Sequence, residues 1–245
     1  MASAKDVVVK PIKASAANAL VKRVHYSGKV VPNSNLHFGA FLNGKLEGAM
    51  SFGSPIDKRK VLNLVEGTAW TGMLELNRMA FSDRLPRNSE SRCLAIAFKL
   101  IKKHYPHIDW ILSFSDGCQC GDGTIYRASG FLLTAVKKNA TMYRMPSGEV
   151  VADKTFNHSP TRVYKGLKTK DCEKLTGYQL RYIYFLNKDA RQRLTVPVIP
   201  FSRIDEMGAG MYKGKPKRVT KANSGDQPES GGAVPTDTLQ PNGGG

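Results

Sequence analysis

The pattern of apolar and polar positions divides the chain into alternating strand and helix signals. Val7-Val8-Val9-Lys10-Pro11-Ile12 reads as an opening strand, and Ala17, Leu20, Val21 and Val24 recur at helical spacing from Ala14 to about Tyr26. Leu36–Leu42 and Leu46–Phe52 flank Asn43-Gly44, the strongest short-range hairpin signal. Met73–Phe81 is a further strand, alternating in part. A loop from Ser82 to Asn88 leads to Ser89, read as an N-cap with Glu90 in the first turn. The helix that follows places Cys93, Ile96, Ala97, Leu100 and Ile101 on one face. It gathers Lys102, Lys103 and His104 at its end and stops at Pro106. Asp109–Ser115 is the next strand, Thr124–Ser129 a short helix and Phe131–Lys137 another strand. Arg181–Leu186 is the clearest strand beyond.

Strand, helix, hairpin, strand, helix, strand, helix, strand is the order of an α+β fold, a mixed, mostly antiparallel sheet flanked by helices. Residues 1–201 are read as this domain with a C-terminal extension, and 202–221 as a basic segment. Gly, Pro, Ser, Asp and Gln dominate thereafter, so 222–245 is expected to be a disordered tail.

Composition changes this picture mainly through charge. The net charge is +17 over 245 residues. Residues 202–245 hold six Lys/Arg against five acids, so +16 sits on residues 1–201. A folded domain that basic is a candidate polyanion binder, nucleic acid first. No apolar run approaches the roughly 18 residues of a membrane span, and the opening residues lack a secretory apolar segment. Four cysteines in so long a chain are no disulfide framework, and a reducing cytosol is the expected setting.

The densest chemistry lies between Asp116 and Phe131, which packs four glycines, two carboxylates, two thiols and a tyrosine behind an apolar strand. Glycine at that density lets backbone approach a ligand and aims side chains from a strand end. Tyr126 offers an aromatic face to a planar ligand, or is a core residue of its short helix. Asp116, or the backbone at Ser115, offers an acceptor; alternatively Asp116 starts an Asx-turn before Gly117. Arg78, mid-strand, either binds a phosphate or carboxylate or pairs with Glu75 or Glu90. Arg84, Arg87 and Arg92 surround a helix N-terminus, an anion site or a solvated basic face. His25 and Tyr26 are acid/base or metal-ligand candidates, or surface residues at a helix end. Cys118-Gln119-Cys120 lacks two further ligands, so no structural zinc is expected.

The order of elements resembles the GNAT acyltransferase fold. Leu76-Asn77-Arg78-Met79, Pro86-Arg87-Asn88-Ser89-Glu90-Ser91-Arg92, and Ser113-Phe114-Ser115-Asp116-Gly117 through Gly130-Phe131 resemble the Mom family of bacteriophage DNA-modification enzymes. His25-Tyr26-Ser27 matches as well, and the resemblance covers roughly residues 20–200. It implies a transferase that converts adenine in duplex DNA to its N6-carbamoylmethyl form, protecting phage DNA from restriction in the host bacterial cytoplasm. It also implies catalytic roles for Asp116, Tyr126, His25, Tyr26 and Ser115. Donor binding falls to Arg78, Arg84, Arg87, Asn88, Ser89, Ser91 and Arg92, and DNA contact to Arg127, Lys137 and Lys138. An iron held by His25, Tyr26 and Asp116 is compatible with that family, though the residues do not demand one. Double-stranded DNA is the expected partner, no membrane is involved, and an oligomer is open.

Adenine's exocyclic nitrogen is a weak nucleophile hidden in the stack, so the base must be flipped into a pocket with an aromatic wall and an acceptor. The donor loop Arg84-Leu85-Pro86-Arg87-Asn88-Ser89 has no glycine, unlike the pyrophosphate loop of GNAT enzymes. The donor is therefore left between acetyl-coenzyme A and a larger anion such as a glycyl-RNA. Two other readings stand beside this one: a GNAT-type acetyltransferase acting on a protein or small-molecule amine, and a DNA-binding module without catalysis.

Overall fold

The computed structural model describes residues 2–139, 142–153, 156, 166–212 and 215–216. The expected tail, 222–245, lies outside them. Seven strands form the main sheet: β1 (Val8–Pro11), β2 (Ser34–Leu42), β3 (Lys45–Gly53), β4 (Met73–Phe81), β5 (Trp110–Asp116), β6 (Leu132–Lys138) and, late in the chain, β10 (Tyr178–Phe185). Their order across the sheet is β1-β2-β3-β4-β5-β10-β6, and only β4 and β5 run parallel. Between β6 and β10 the chain builds a separate three-stranded sheet from β7 (Met142–Arg144), β8 (Val150–Ala152) and β9 (Glu173–Leu175). The α+β class read from the residues is the one observed.

Alternation along the strands sends neighbouring residues to opposite faces, and each face is covered. Phe38, Met50, Phe52, Leu76, Ile111, Leu133 and Tyr182 pack on one side against Cys93, Leu94, Ala97, Phe98 and Ile101 of α3 (Ser89–His104). On the other side Ala49 meets α1 (Ala14–Val24), and Met73, Trp110, Leu112 and Ile183 meet Leu64, Val65 and Ala190. The Trp110 indole N–H donates to Thr68 Oγ1 at 3.0 Å, which ties the segment between β3 and β4 to the sheet. Within that segment, α2 (Lys58–Leu62) is a single short helix. The core runs past residue 201, because Ile204 on α5 (Ser202–Glu206) and Ala209 belong to the main cluster.

Local signals hold with a few adjustments, one being that Leu94 and Phe98, rather than Ile96 and Leu100, are buried beside Cys93, Ala97 and Ile101 on α3. Asn43 and Gly44 both take positive φ, 49° and 77°, and close the β2–β3 hairpin as expected. Ser89 is not the N-cap of α3: Asn88 holds that position in the left-handed region at φ 68° and makes no side-chain cap bond. Ser89 is instead the first helical residue, fully buried, with its hydroxyl donating to the Pro86 carbonyl at 2.6 Å. Strand β5 extends one residue further than read and ends on Asp116 itself.

The short helix α4 (Thr124–Ala128) starts from Gly123, at φ 76°, directly beneath the buried Tyr182 ring. A Cβ there would lie 2.6 Å from the ring, whose hydroxyl is anchored on the Asp122 carbonyl. Gly130 shares the positive φ, 83°, but a Cβ would meet nothing closer than 3.7 Å. Gly123→Ala should therefore cost at least about 2 kcal/mol, against about 1 kcal/mol for Gly130→Ala. Thermal denaturation of the two variants side by side checks the difference, and equal melting temperatures would rule out the Tyr182 clash.

Candidate active site

Strands β4 and β5 pair only from Met73 to Glu75 against Trp110 to Leu112 and then part. A cavity of about 510 Å³ opens where they separate. Its walls are Glu75–Met79 of β4, Phe114–Asp116 of β5, the loop from Gln119 to Gly123, the first turns of α4, and His25 and Tyr26 after α1. Two further cavities adjoin it. One, about 380 Å³, lies at the N-terminus of α3 among Arg87, Asn88 and Ser91 and shares Thr124 and Ile125 with the central cavity. The other, about 570 Å³, lies against β7 and β8 and shares Tyr26, Arg78 and Gln119.

The loop after β5 is organised by Asp116. Its Oδ1 accepts from the Cys118 N–H at 2.9 Å and from Asn139 Nδ2 at 2.6 Å, and its Oδ2 from Gln119 Nε2 at 3.2 Å. The Asx-turn reading of Asp116 is thus realised, and the residue also lines the central cavity. Its backbone carbonyl accepts the Cys120 N–H at 2.8 Å, which completes the turn. Burial raises the pKa of both thiols, Cys118 and Cys120, so each is a neutral S–H rather than a nucleophilic thiolate.

Tyr126 packs in the core and also lines the cavity. Its ring sits 5.2 Å from those of Tyr182 and Phe131, part of the core, and its side chain forms one wall of the cavity. Burial pushes its hydroxyl up to about 12, and Ser113 lies beside it. Among the described residues the buried hydroxyls of Ser113 and Ser115 have no full hydrogen-bond partner, with the Tyr126 and Tyr182 phenols nearby. Ser115 also lines the cavity.

His25 closes α1 with its ring 4.1 Å from that of Tyr26. The Ser27 backbone N–H points at Nδ1 from 3.2 Å, so Nδ1 is the acceptor and the neutral ring carries its proton on Nε2. Desolvation, then the Arg78 charge, lower the His25 pKa to about 4. Tyr26 is 54% exposed, yet burial of its hydroxyl end raises its pKa beyond the ordinary phenol value, and that end reaches Cys120. His25, Tyr26 and Asp116 all line the central cavity. Ser27 engages His25 Nδ1, Asn139 and Gln119 donate to Asp116, and no group of three or more His, Cys, Asp or Glu that could hold a metal ion lies among the described residues.

Arg78 makes neither of the ion pairs weighed for it among the described residues. Its Nε donates to the Lys29 carbonyl at 2.8 Å and its Nη1 to the Asn77 carbonyl at 2.7 Å, which spreads the guanidinium along the wall of two cavities. The expected donor residues separate. Arg87, Asn88 and Ser91 line the α3 cavity, whereas Arg84 pairs with Glu47 at 3.2 Å and Arg92 donates to the Val7 carbonyl at 2.8 Å. Ser89 is sealed in the core. Those last three residues have structural employment that their spacing did not disclose. Arg127, Lys137 and Lys138 are exposed, with Arg127 over the Phe201 ring at 5.5 Å.

Glu75 is the residue that sequence reasoning passed over except as a partner for Arg78. Burial raises its carboxyl pKa, opposed by a hydrogen bond from Asn77 and by the Arg78 charge. It stands in the cavity at the last point where β4 and β5 are paired. The available signal was an acid in the apolar run Met73-Leu74-Glu75-Leu76.

Residues 6–203 match the family model described as the Mom protein family. The chain is 35% identical over 195 residues to the methylcarbamoylase Mom of Escherichia phage Mu, covering 78% of this chain and 80% of that one. Similar solved structures include FeeM, an N-acyl amino acid synthase from uncultured soil microbes, at 16% identity, 77% and 95% coverage and a TM-score of 0.45. The ribosomal-protein-S18-alanine N-acetyltransferase of Escherichia coli follows at 12% identity, 74% and 94% coverage and 0.43. Every residue that walls the central cavity falls within the family match, and the chain belongs to the Mom protein family.

Proposed function

We propose that this protein is a DNA-modifying transferase that converts adenine in duplex DNA to its N6-carbamoylmethyl form, shielding phage DNA from host restriction. The observation that carries the reading is the 35% identity over 195 residues with a methylcarbamoylase, beside a family match that spans every residue of the cavity. The net charge of +17 supports a polyanionic substrate, and the phenol-walled cavity suits a flipped base.

In this reading the adenine enters the central cavity against Tyr126, and Glu75 accepts a proton from its exocyclic amine. Tyr126 remains a phenol at neutral pH and donates to the oxygen that becomes negative when an acyl carbon is attacked. Asp116 acts as a positioning residue, because its carboxylate holds the loop that carries Gln119 and Cys120. The anionic end of the donor lies in the cavity at the α3 N-terminus, near Arg87.

An activated glycyl ester balances the chemistry. Adenine's amine attacks the glycyl carbonyl, the N6–C bond forms and the ester oxygen leaves as an alcohol. The glycyl amine then attacks ring carbon 6 through a five-membered ring, and the original C6–N6 bond breaks. The glycine nitrogen ends on the purine and the former exocyclic nitrogen becomes the terminal amide. Nucleosides from cells expressing the protein should show a new deoxyadenosine adduct by mass spectrometry. With nitrogen-15 glycine, the label should sit on the nitrogen bonded to the ring. Label absent there, with acetyl carbon in the adduct, favours acetyl-coenzyme A; no adduct at all favours the protein or small-molecule acetyltransferase.

The raised Glu75 and lowered His25 pKa values give a pH test. Activity that needs ionised Glu75 should fall on acidification at a pH above the ordinary glutamate value of 4.5, whereas His25 cannot titrate near 6.5. Glu75→Gln should remove that limb and lower kcat about a hundredfold or more. His25 has the opposite consequence for stability. Its pKa falls on folding, so the unfolded chain binds the extra proton, and stability present above pH 6.5 is lost as pH drops toward about 4. Acid denaturation of His25→Gln should be shallower than that of the parent over this window.

A further inference from the structure

The cavity against β7 and β8 belongs to no part of the chemistry above, yet it shares a wall with the central cavity. A transferase brings two substrates together from two directions. The α3 cavity supplies one approach, and the β7–β8 cavity lies on the other side of Tyr26, Arg78 and Gln119. Its rim carries Lys29 from the loop after α1 and Arg144 from β7. Each cation is held by an acid of the small sheet, Glu149 just before β8 and Glu173 opposite Arg144 on β9. Lys29 Nζ meets Glu149 Oε1 at 2.6 Å, and Arg144 Nη1 meets Glu173 Oε2 at 2.6 Å. Side chains in both pairs are 37–60% exposed. Such exposed pairs contribute little to stability, so their cations can change partners at small cost.

We infer that this cavity is the entry face for duplex DNA, where Lys29 and Arg144 exchange Glu149 and Glu173 for phosphates flanking the target nucleotide. The inference rests on the proposed reading of the protein as a DNA-modifying enzyme and names the surface that reading lacks. Tyr26, half exposed between the two cavities, is the ring over which the displaced base passes. The loop bearing Lys29 also accepts the Arg78 Nε at its carbonyl, so a phosphate seated on Lys29 bears directly on the wall of the central cavity. The small sheet β8-β7-β9, inserted between two paired strands of the main sheet, is then the platform that places Arg144.

Binding of the full chain to a short fluorescein-labelled duplex, measured by anisotropy between about 50 and 200 mM salt, tests this. Arg144→Ala should lower the slope of log K against log salt by about 0.9 and weaken binding roughly fivefold to tenfold near 100 mM. Lys102→Ala, an exposed cation at the far end of α3, removes the same charge and should change neither. Glu149→Gln should tighten binding severalfold, since it removes the acid that competes for Lys29. Melting temperatures of the three variants confirm that each is folded. Arg144→Ala behaving like Lys102→Ala, or weakening only the binding of a single-stranded RNA probe, would overturn the entry face. A parent chain that neither binds the duplex nor yields the deoxyadenosine adduct would instead overturn the underlying reading, and the entry face with it.

Discussion

β4 and β5 run parallel and share three residue pairs, whereas β5 and β10 are matched over seven and β2 and β3 over the length of a hairpin. Two antiparallel half-sheets, β1 to β4 and β5-β10-β6, are thus joined by the shortest seam in the main sheet. Beyond Glu75 and Leu112 the facing edges of both strands leave backbone groups that must be satisfied by something other than a neighbouring strand. Arg78 answers part of that demand by donating to the Asn77 carbonyl. The opening receives His25 and Tyr26 from one side and α4 from the other, so the site is a consequence of incomplete pairing.

Burial is the largest influence on five titratable groups that the opening collects. It lowers His25 and raises Tyr26, Glu75, Cys120 and Tyr126. Desolvation therefore assembles a ring of neutral donors, a phenol, a thiol and an uncharged imidazole, around one guanidinium. Such a ring suits positioning and proton movement better than covalent catalysis by the protein. Its rigidity comes from outside the ring: Ser27 fixes the imidazole, Asn139 and Gln119 fix Asp116, and the Tyr182 hydroxyl fixes the start of α4 through Asp122.

Much of the fold was legible because its signals are local. Asn43-Gly44 specifies a hairpin wherever it stands, and the apolar spacing of α3 survives any error in its cap. Ser89 shows where such reasoning ends: its side chain satisfies a cap rule, but tertiary packing buries it and leaves Asn88 to bend the chain. Spacing alone does not show that Arg84 has Glu47 of the neighbouring strand, or Arg92 the Val7 carbonyl, as a partner. Asp116 and Tyr126 were visible as a cluster, and both line the cavity while also holding structure, Asp116 in its Asx-turn and Tyr126 against Tyr182 and Phe131. Glu75 was hidden for the converse reason, since an acid in a strand is unremarkable until the strand beside it turns away. The sheet β8-β7-β9 left little trace, its strands being three residues each.

The position of β10 has a further consequence for how the protein comes into being. It is made after β6 and after the small inserted sheet, yet it lies between β5 and β6. Until residues 178–185 have left the ribosome, β5 has only its short seam with β4 to hold it, and β6 has no neighbour in the sheet. Asp116 is likewise without its strand partner Gln179, and Gly117 without the Tyr178 carbonyl that receives its N–H. The cavity cannot take shape on a partly synthesised chain. Emergence of β10 is thus the step that gives β5 and β6 their neighbour and sets the loop after β5 in place.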